Sequence, residues 1–151
     1  MTDIAEADIS PHEDSPIGTA ELIDLLNELL EAERAGAKVA LESGRQTRDV
    51  ALVELLRGIY EDEARWCAML LRQIRVLGGV VSPRIGAFHA KAMAIENLKD
   101  RLVFLNRGQG WVVRKLRELT PRVHDPALHA DLAHMLSSHV ANITLANSAI
   151  A

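Results

Sequence analysis

The sequence predicts an all-α protein: an antiparallel four-helix bundle built from two hairpins, with a long crossover between helices two and three. Three observations carry this expectation. Of 151 residues, 42 are Ala or Leu, against five aromatics and nine Gly, a composition of helix formers. Apolar residues recur at intervals of three and four along four long stretches, and no strand-like alternation of useful length interrupts them. The five prolines fall outside those stretches, because a residue without an amide donor cannot continue a helix. The length suits one domain with a core of ordinary size.

Taken in order, residues 1–18 read as an acidic flexible tail, and residues 19–151 as the bundle domain. The tail holds Asp3, Glu6, Asp8, Glu13 and Asp14 with no Lys or Arg, and contains Pro11 and Pro16. Thr19, followed by Glu21 and Asp24, is the expected N-cap of the first helix, which runs to Ser43 and stops at Gly44. Asp49 caps the second helix, which reaches Leu77 before Gly78 and Gly79. Residues 78–93 form a connection long enough to cross the bundle, with room for a helical turn or two around Phe88. Ser82-Pro83 and Asp125-Pro126 both pair a capping residue with a proline suited to the first helical position. The first pair is expected to open a segment near residue 83, and the second the last helix. The third long helix ends at Leu119, since Thr120 precedes Pro121.

Each helix carries a polar residue where its apolar stripe calls for another aliphatic. In the first, Leu22, Leu26, Leu29, Leu30, Ala37 and Ala40 surround Glu33. In the second, Glu63 sits between Ile59 and Cys67. In the third, Asn106 and Gln109 lie among Leu102, Leu105 and Val113, and in the fourth His139 follows Met135 and Leu136. All lie near mid-helix, so that antiparallel pairing brings them to a common layer; Asn106 and His139 are level about the 120–125 link. Burying lone carboxylates costs several kcal/mol each unless they are paired, protonated or bound to a cation. Two Glu and one His facing one another are oxygen and nitrogen ligands suited to iron, manganese or zinc.

At these residues the chain resembles the ferritin-like superfamily, whose dimetal members order their ligands as Glu, Glu-x-x-His, Glu, Glu-x-x-His along four helices. Glu33 matches the first Glu. In Glu63-Ala64-Arg65-Trp66 the Glu is kept and Trp66 replaces the His. Asn106 stands at the third Glu, with Gln109 one turn on, and Leu136-Ser137-Ser138-His139 keeps only its His. Three of six ligand positions survive, which supports one ion rather than two. The resemblance implies iron or manganese held by Glu33, Glu63 and His139, with Asn106 and Gln109 in support, for redox or oxygen-related chemistry. The other reading is a metal-free interaction module in which these residues form a satisfied polar layer. Trp66, as a bulky indole in a ligand's place, favours that alternative. Cys67, on the face of Glu63, is either a small core residue or a soft extra ligand. Asp131 and His134 point away from the stripe and read as a surface pair. His12, His89, His124 and His129 receive no role.

Charge narrows the partners. Acids outnumber bases 21 to 17, yet residues 84–122 hold nine bases against three acids. Phe104 and Trp111 are expected on the outer face of this basic third helix, as an exposed pair through which two copies form a dimer. No nucleic-acid-binding motif accompanies the charge, and no span or leader pattern is present, so a cytoplasmic protein is expected. Gly108 and Gly110 in the same helix mark a close approach or a local bulge. The single Cys excludes an internal disulfide and a thiolate cage.

Overall fold

Asp49 and Asp125 set two helix starts by the same device. Asp49 Oδ1 accepts from the amides of Ala51 and Leu52 at 3.0 and 3.3 Å, and Asp125 Oδ2 accepts from Leu128 N at 2.9 Å. The computed structural model describes residues 15–151. Its elements are α1 (Thr19–Gly44), α2 (Val50–Val76), α3 (Phe88–Met93), α4 (Leu98–Leu119) and α5 (Pro126–Ile150), with a 3-10 turn, Thr120–Arg122, extending α4. The described residues contain no strand.

Several boundaries differ from the sequence reading. Thr19 lies inside α1, and the capping position belongs to Gly18, whose lack of a side chain leaves the first turn without a side-chain cap. No helix opens at Ser82-Pro83; residues 79–87 stay non-helical because the segment's polar groups are held on α1 instead. Asn27 Oδ1 accepts from Ser82 N at 2.8 Å, Asn27 Nδ2 donates to Val80 O at 2.9 Å, and Ser82 Oγ donates to Glu31 at 3.0 Å. Arg34 bonds the carbonyls of Ser82 and Arg84. α4 begins at Leu98, since Asn97 accepts from Asp100 N at 3.0 Å and ends the connection there. Residues 1–14 of the expected tail lie outside the described residues. The next few are anchored: Ile17 N donates to Arg122 O at 3.1 Å, and Arg122 Nε to Ser15 O at 3.2 Å.

The connection travels the length of α1, from Asn27 near its start to Glu42 near its end, where Glu42 meets His89 at 2.9 Å. That path delivers α4 beside the C-terminal end of α1, so α4 runs antiparallel to it. α2 and α5 are also antiparallel, with Gln73 bonded to Asp131 and Asp62 to Asn142. α1 packs on α2, α4 on α5, and the two hairpins face one another. No helix among the described residues is long and apolar enough to cross a membrane.

Arg101 is the junction residue. The sequence groups it with the basic face, but it is 4 % exposed. Its guanidinium donates twice to Ile95 O, at 2.9 and 2.8 Å, to Ser43 Oγ at 3.1 Å and to Gln46 Oε1 at 2.7 Å. It thereby ties the end of α1 to the start of α4.

The apolar core falls into two clusters. One joins Leu26, Leu30, Leu70, Ile74, Leu116 and Leu132, and the other Val39, Leu56, Ile59, Leu102 and Leu105. In α1, α2 and α4 the buried Glu33, Glu63 and Gln109 fall between the two sets in sequence, and His139 follows the last α5 member of the first set.

Replacing Arg101 by Ala should lower unfolding free energy by roughly 2–4 kcal/mol, because it strands buried acceptors and opens a void. Asp125→Ala should lower it by about 1 kcal/mol. Urea unfolding measures both. An Arg101→Ala variant as stable as the parent would remove the junction role.

Candidate metal centre

The layer between the clusters is built from one polar residue on each long helix. Glu33, Glu63 and His139 each offer a ligand atom, and these atoms lie within 4.8 Å of one another. All three residues are buried, at 1, 3 and 1 % exposure. His139 Nδ1 faces Met135 O at 2.9 Å, and a carbonyl only accepts, so Nδ1 carries the proton. That bond fixes the ring and aims Nε2 at Glu33 Oε1, 2.7 Å away. A histidine that donates one N–H to a backbone carbonyl and presents its other nitrogen inward has the usual geometry of a metal-ligating imidazole.

Room for the second carboxylate comes from α1. A Cβ on Gly36 would stand 2.6 Å from Glu63 Oε1 and 2.8 Å from Oε2. Only glycine at this position lets Glu63 lie against the helix backbone. The far oxygens, Glu33 Oε2 and Glu63 Oε2, are buried without a hydrogen-bond partner, and so is Gln109 Oε1. A cation beside them would satisfy oxygens that the protein leaves bare.

The electrostatics follow from the burial. Glu63 is held well above the usual carboxylate range, first by desolvation, then by the nearby charges of Glu33 and Asp62. Burial pushes His139 toward neutrality, but the Glu33 carboxylate and the bond to it outweigh burial, so its affinity for a proton is raised. Burial, with the charges of Glu33 and Glu63, pushes the Cys67 thiol up to about 12. It stays a protonated, half-buried core residue.

The other expected residues divide. Gln109 is buried and shares the layer's cavity with Glu33 and Glu63. Asn106 touches it only through Gln109, whose Nε2 donates to Asn106 Oδ1 at 3.4 Å; its own Nδ2 donates away from the layer, to Ile143 O at 3.3 Å and Asn147 Oδ1 at 2.9 Å. The 3-10 turn is the reason. It carries α4 to Arg122 and leaves residues 123–125 as the link, so the hairpin centres on 124, not 122.5, and His139 comes level with Gln109. Trp66 is a packing residue, 3 % exposed, whose Nε1 donates to Ser138 Oγ at 3.3 Å. Ser138 and Asn142 both donate to Asp62 Oδ2, which locks α5 against α2 beside the layer. Asp131 stands clear of the layer, paired with Arg72 and Gln73, while exposed His134 meets the edge of Trp66. His12 lies outside the described residues.

The exposed aromatic pair is corrected. Phe104 and Trp111 are half-buried. Phe88 of α3 stacks on Phe104 with centroids 4.8 Å apart, and Lys115 lies over Trp111. Phe88 seats there because Gly108 has no Cβ, which would come within 2.7 Å of its ring. Gly108 thus marks a close approach, and α4 continues through it without a bulge. The sequence does not reveal Gly36, although the small-residue run Ala35-Gly36-Ala37 beside Glu33 is the signal that could have found it.

Stability should fall as pH rises when no ion is present. The raised His139 stabilises the fold below the unfolded histidine's value, and that gain is lost as pH climbs through the folded value. Glu63 acts in the same direction, since the unfolded chain releases this proton at lower pH than the folded one. The urea midpoint of chelator-treated protein should therefore decline from roughly pH 5 to pH 8. Glu63→Gln should flatten that decline and raise stability at pH 8 by about 1–3 kcal/mol. A midpoint that rises over this interval would contradict the electrostatic assignment.

No curated protein and no solved structure matches the chain. Residues 20–148, from α1 to the last turn of α5, match the family described as a domain of unknown function (DUF6306), and the chain belongs to that family.

Proposed function

We propose that the chain is a ferritin-like four-helix bundle holding one divalent ion, iron or manganese, between Glu33, Glu63 and His139. The observation that carries this reading is a pair of buried carboxylates, each with a partnerless oxygen, whose ligand atoms lie within 4.8 Å of an imidazole nitrogen. Two carboxylates and a neutral imidazole balance a divalent charge without remainder. The three ligand atoms lie within 4.8 Å of one another, so that rotation of the Glu33 carboxylate out of its 2.7 Å contact with Nε2 would let all three residues hold one ion. The oxygen-rich donors suit iron and manganese. Either metal would supply one-electron chemistry, with Gln109 as the polar neighbour. The long connection lying along α1, the two antiparallel hairpins and the placement of one polar residue per helix support the ferritin-like arrangement.

A specific contact favours the metal-free module: His139 Nε2 meets Glu33 Oε1 at 2.7 Å, which already pairs two of the three groups. Elemental analysis separates the readings. Protein purified without chelator, or reconstituted with Fe(II) or Mn(II), should hold one ion per chain, and Glu63→Ala should hold none. Gly36→Ala is the sharper variant, since it keeps every ligand and improves helix propensity by about 1 kcal/mol, yet its methyl displaces the Glu63 carboxylate. It should fold at least as well as the parent and lose the ion. A stably folded parent that takes up neither metal would leave the interaction module as the function.

A further inference from the structure

The layer is not sealed on the α4 side. A cavity of about 440 Å³ reaches from the surface between α1, α3 and α4 to Glu33 and Glu63, within the range of small-molecule sites. At roughly 30 Å³ per water-sized group it holds on the order of a dozen non-hydrogen atoms. Its walls are apolar, formed by the stacked Phe88 and Phe104 together with Leu105 and Trp111.

Its two ends carry opposite charge. Arg107 and Arg114 belong to its lining and are both exposed, two helical turns apart on α4. Arg114 folds back along its helix, with Nη1 3.6 Å from where a Cβ of Gly110 would stand. Among the described residues neither arginine has an ion-pair partner. The inner end holds Glu33 and Glu63. An entering cation meets repulsion at the mouth, and an anion driven deeper meets it at the floor. An amphiphile with its negative charge outward and its apolar body inward fits both ends.

We propose that this cavity binds a monocarboxylate with a medium-length apolar body, its carboxylate held by Arg107 and Arg114 and its far end beside Glu33 and Glu63. As a substrate site it rests on the metal centre proposed above, whereas as a ligand site it stands on the cavity alone. The basic character of α4 then has a local purpose: a pair of guanidinium groups offers charge-assisted hydrogen bonds to one carboxylate.

Isothermal titration calorimetry of the full chain tests it, with decanoate, decanol and decylammonium at submicellar concentration, on chelator-treated and Mn(II)-loaded protein. Decanoate should saturate at one per chain in both forms, and decylammonium should bind at least tenfold more weakly. The Arg107→Ala/Arg114→Ala double variant, altered only at exposed positions, should weaken decanoate at least tenfold and leave decanol unchanged. Ala32→Phe, which projects a ring into the cavity, should abolish binding of both. Equal binding of decanoate and decylammonium, decanoate binding that survives the double arginine change, or no saturable binding overturns the assignment. The two proposals fail separately: manganese uptake without decanoate binding removes the ligand site and leaves the centre, and decanoate binding without manganese uptake does the reverse.

Discussion

The contact between His139 and Glu33, with Glu63 pressed beside it, is the constraint around which the rest of the molecule is arranged. An interior that could have been continuous Leu, Ile and Val is cut into two apolar clusters by four buried polar side chains, one from each long helix. Charged groups in such a place are tolerated only with partners or a cation, and a few misplaced ångströms would leave them with neither. The register of both hairpins, the rotation of every long helix and the glycine at position 36 therefore answer to one layer. The raised proton affinities of Glu63 and His139 are the electrostatic expression of the same crowding.

The connection between α2 and α4 serves the layer indirectly. Its hydrogen bonds to Asn27, Glu31 and Arg34 lay it along α1, and its His89 and Phe88 reach Glu42 and Phe104 near the far end. Without that path α4 would not start beside Ser43, where Arg101 pins it, and Gln109 would not fall level with His139. The same segment supplies one wall of the cavity beside the carboxylates. The crossover, the junction and the cavity are thus consequences of one routing decision in the chain.

Much of this was legible in the sequence, for identifiable reasons. Helix starts at Asp49 and Asp125 are local: a carboxylate two or three residues ahead of free amides acts within its own turn. Glu33, Glu63 and His139 stand out because each interrupts an otherwise aliphatic stripe, and periodicity alone places them inside. What the sequence hides is relational. Thr19 has the chemistry of a cap, but the backbone enters α1 at Gly18. Ser82-Pro83 looks like a helix start, yet its donors and acceptors are claimed by α1 from more than forty residues away. Arg101 is indistinguishable from its basic neighbours until Ile95 O, Ser43 and Gln46 converge on it. Asn106 falls one turn from the level of His139, and meets the layer through Gln109, because a short 3-10 extension moves the hairpin centre; Phe104 passes for an exposed residue until Phe88 covers it.

The most direct test of the central claim is the number of protons displaced when Mn(II) or Fe(II) binds at neutral pH, obtained by calorimetry in buffers of differing ionisation enthalpy. Ligands must release their protons to solvent before they bind a metal, and two of the three groups here hold theirs more tightly than usual. Saturation at one ion per chain with net proton release is expected, and loss of both binding and release in His139→Ala. Saturable binding with no proton release, or release unchanged in that variant, would place the ion elsewhere and contradict it.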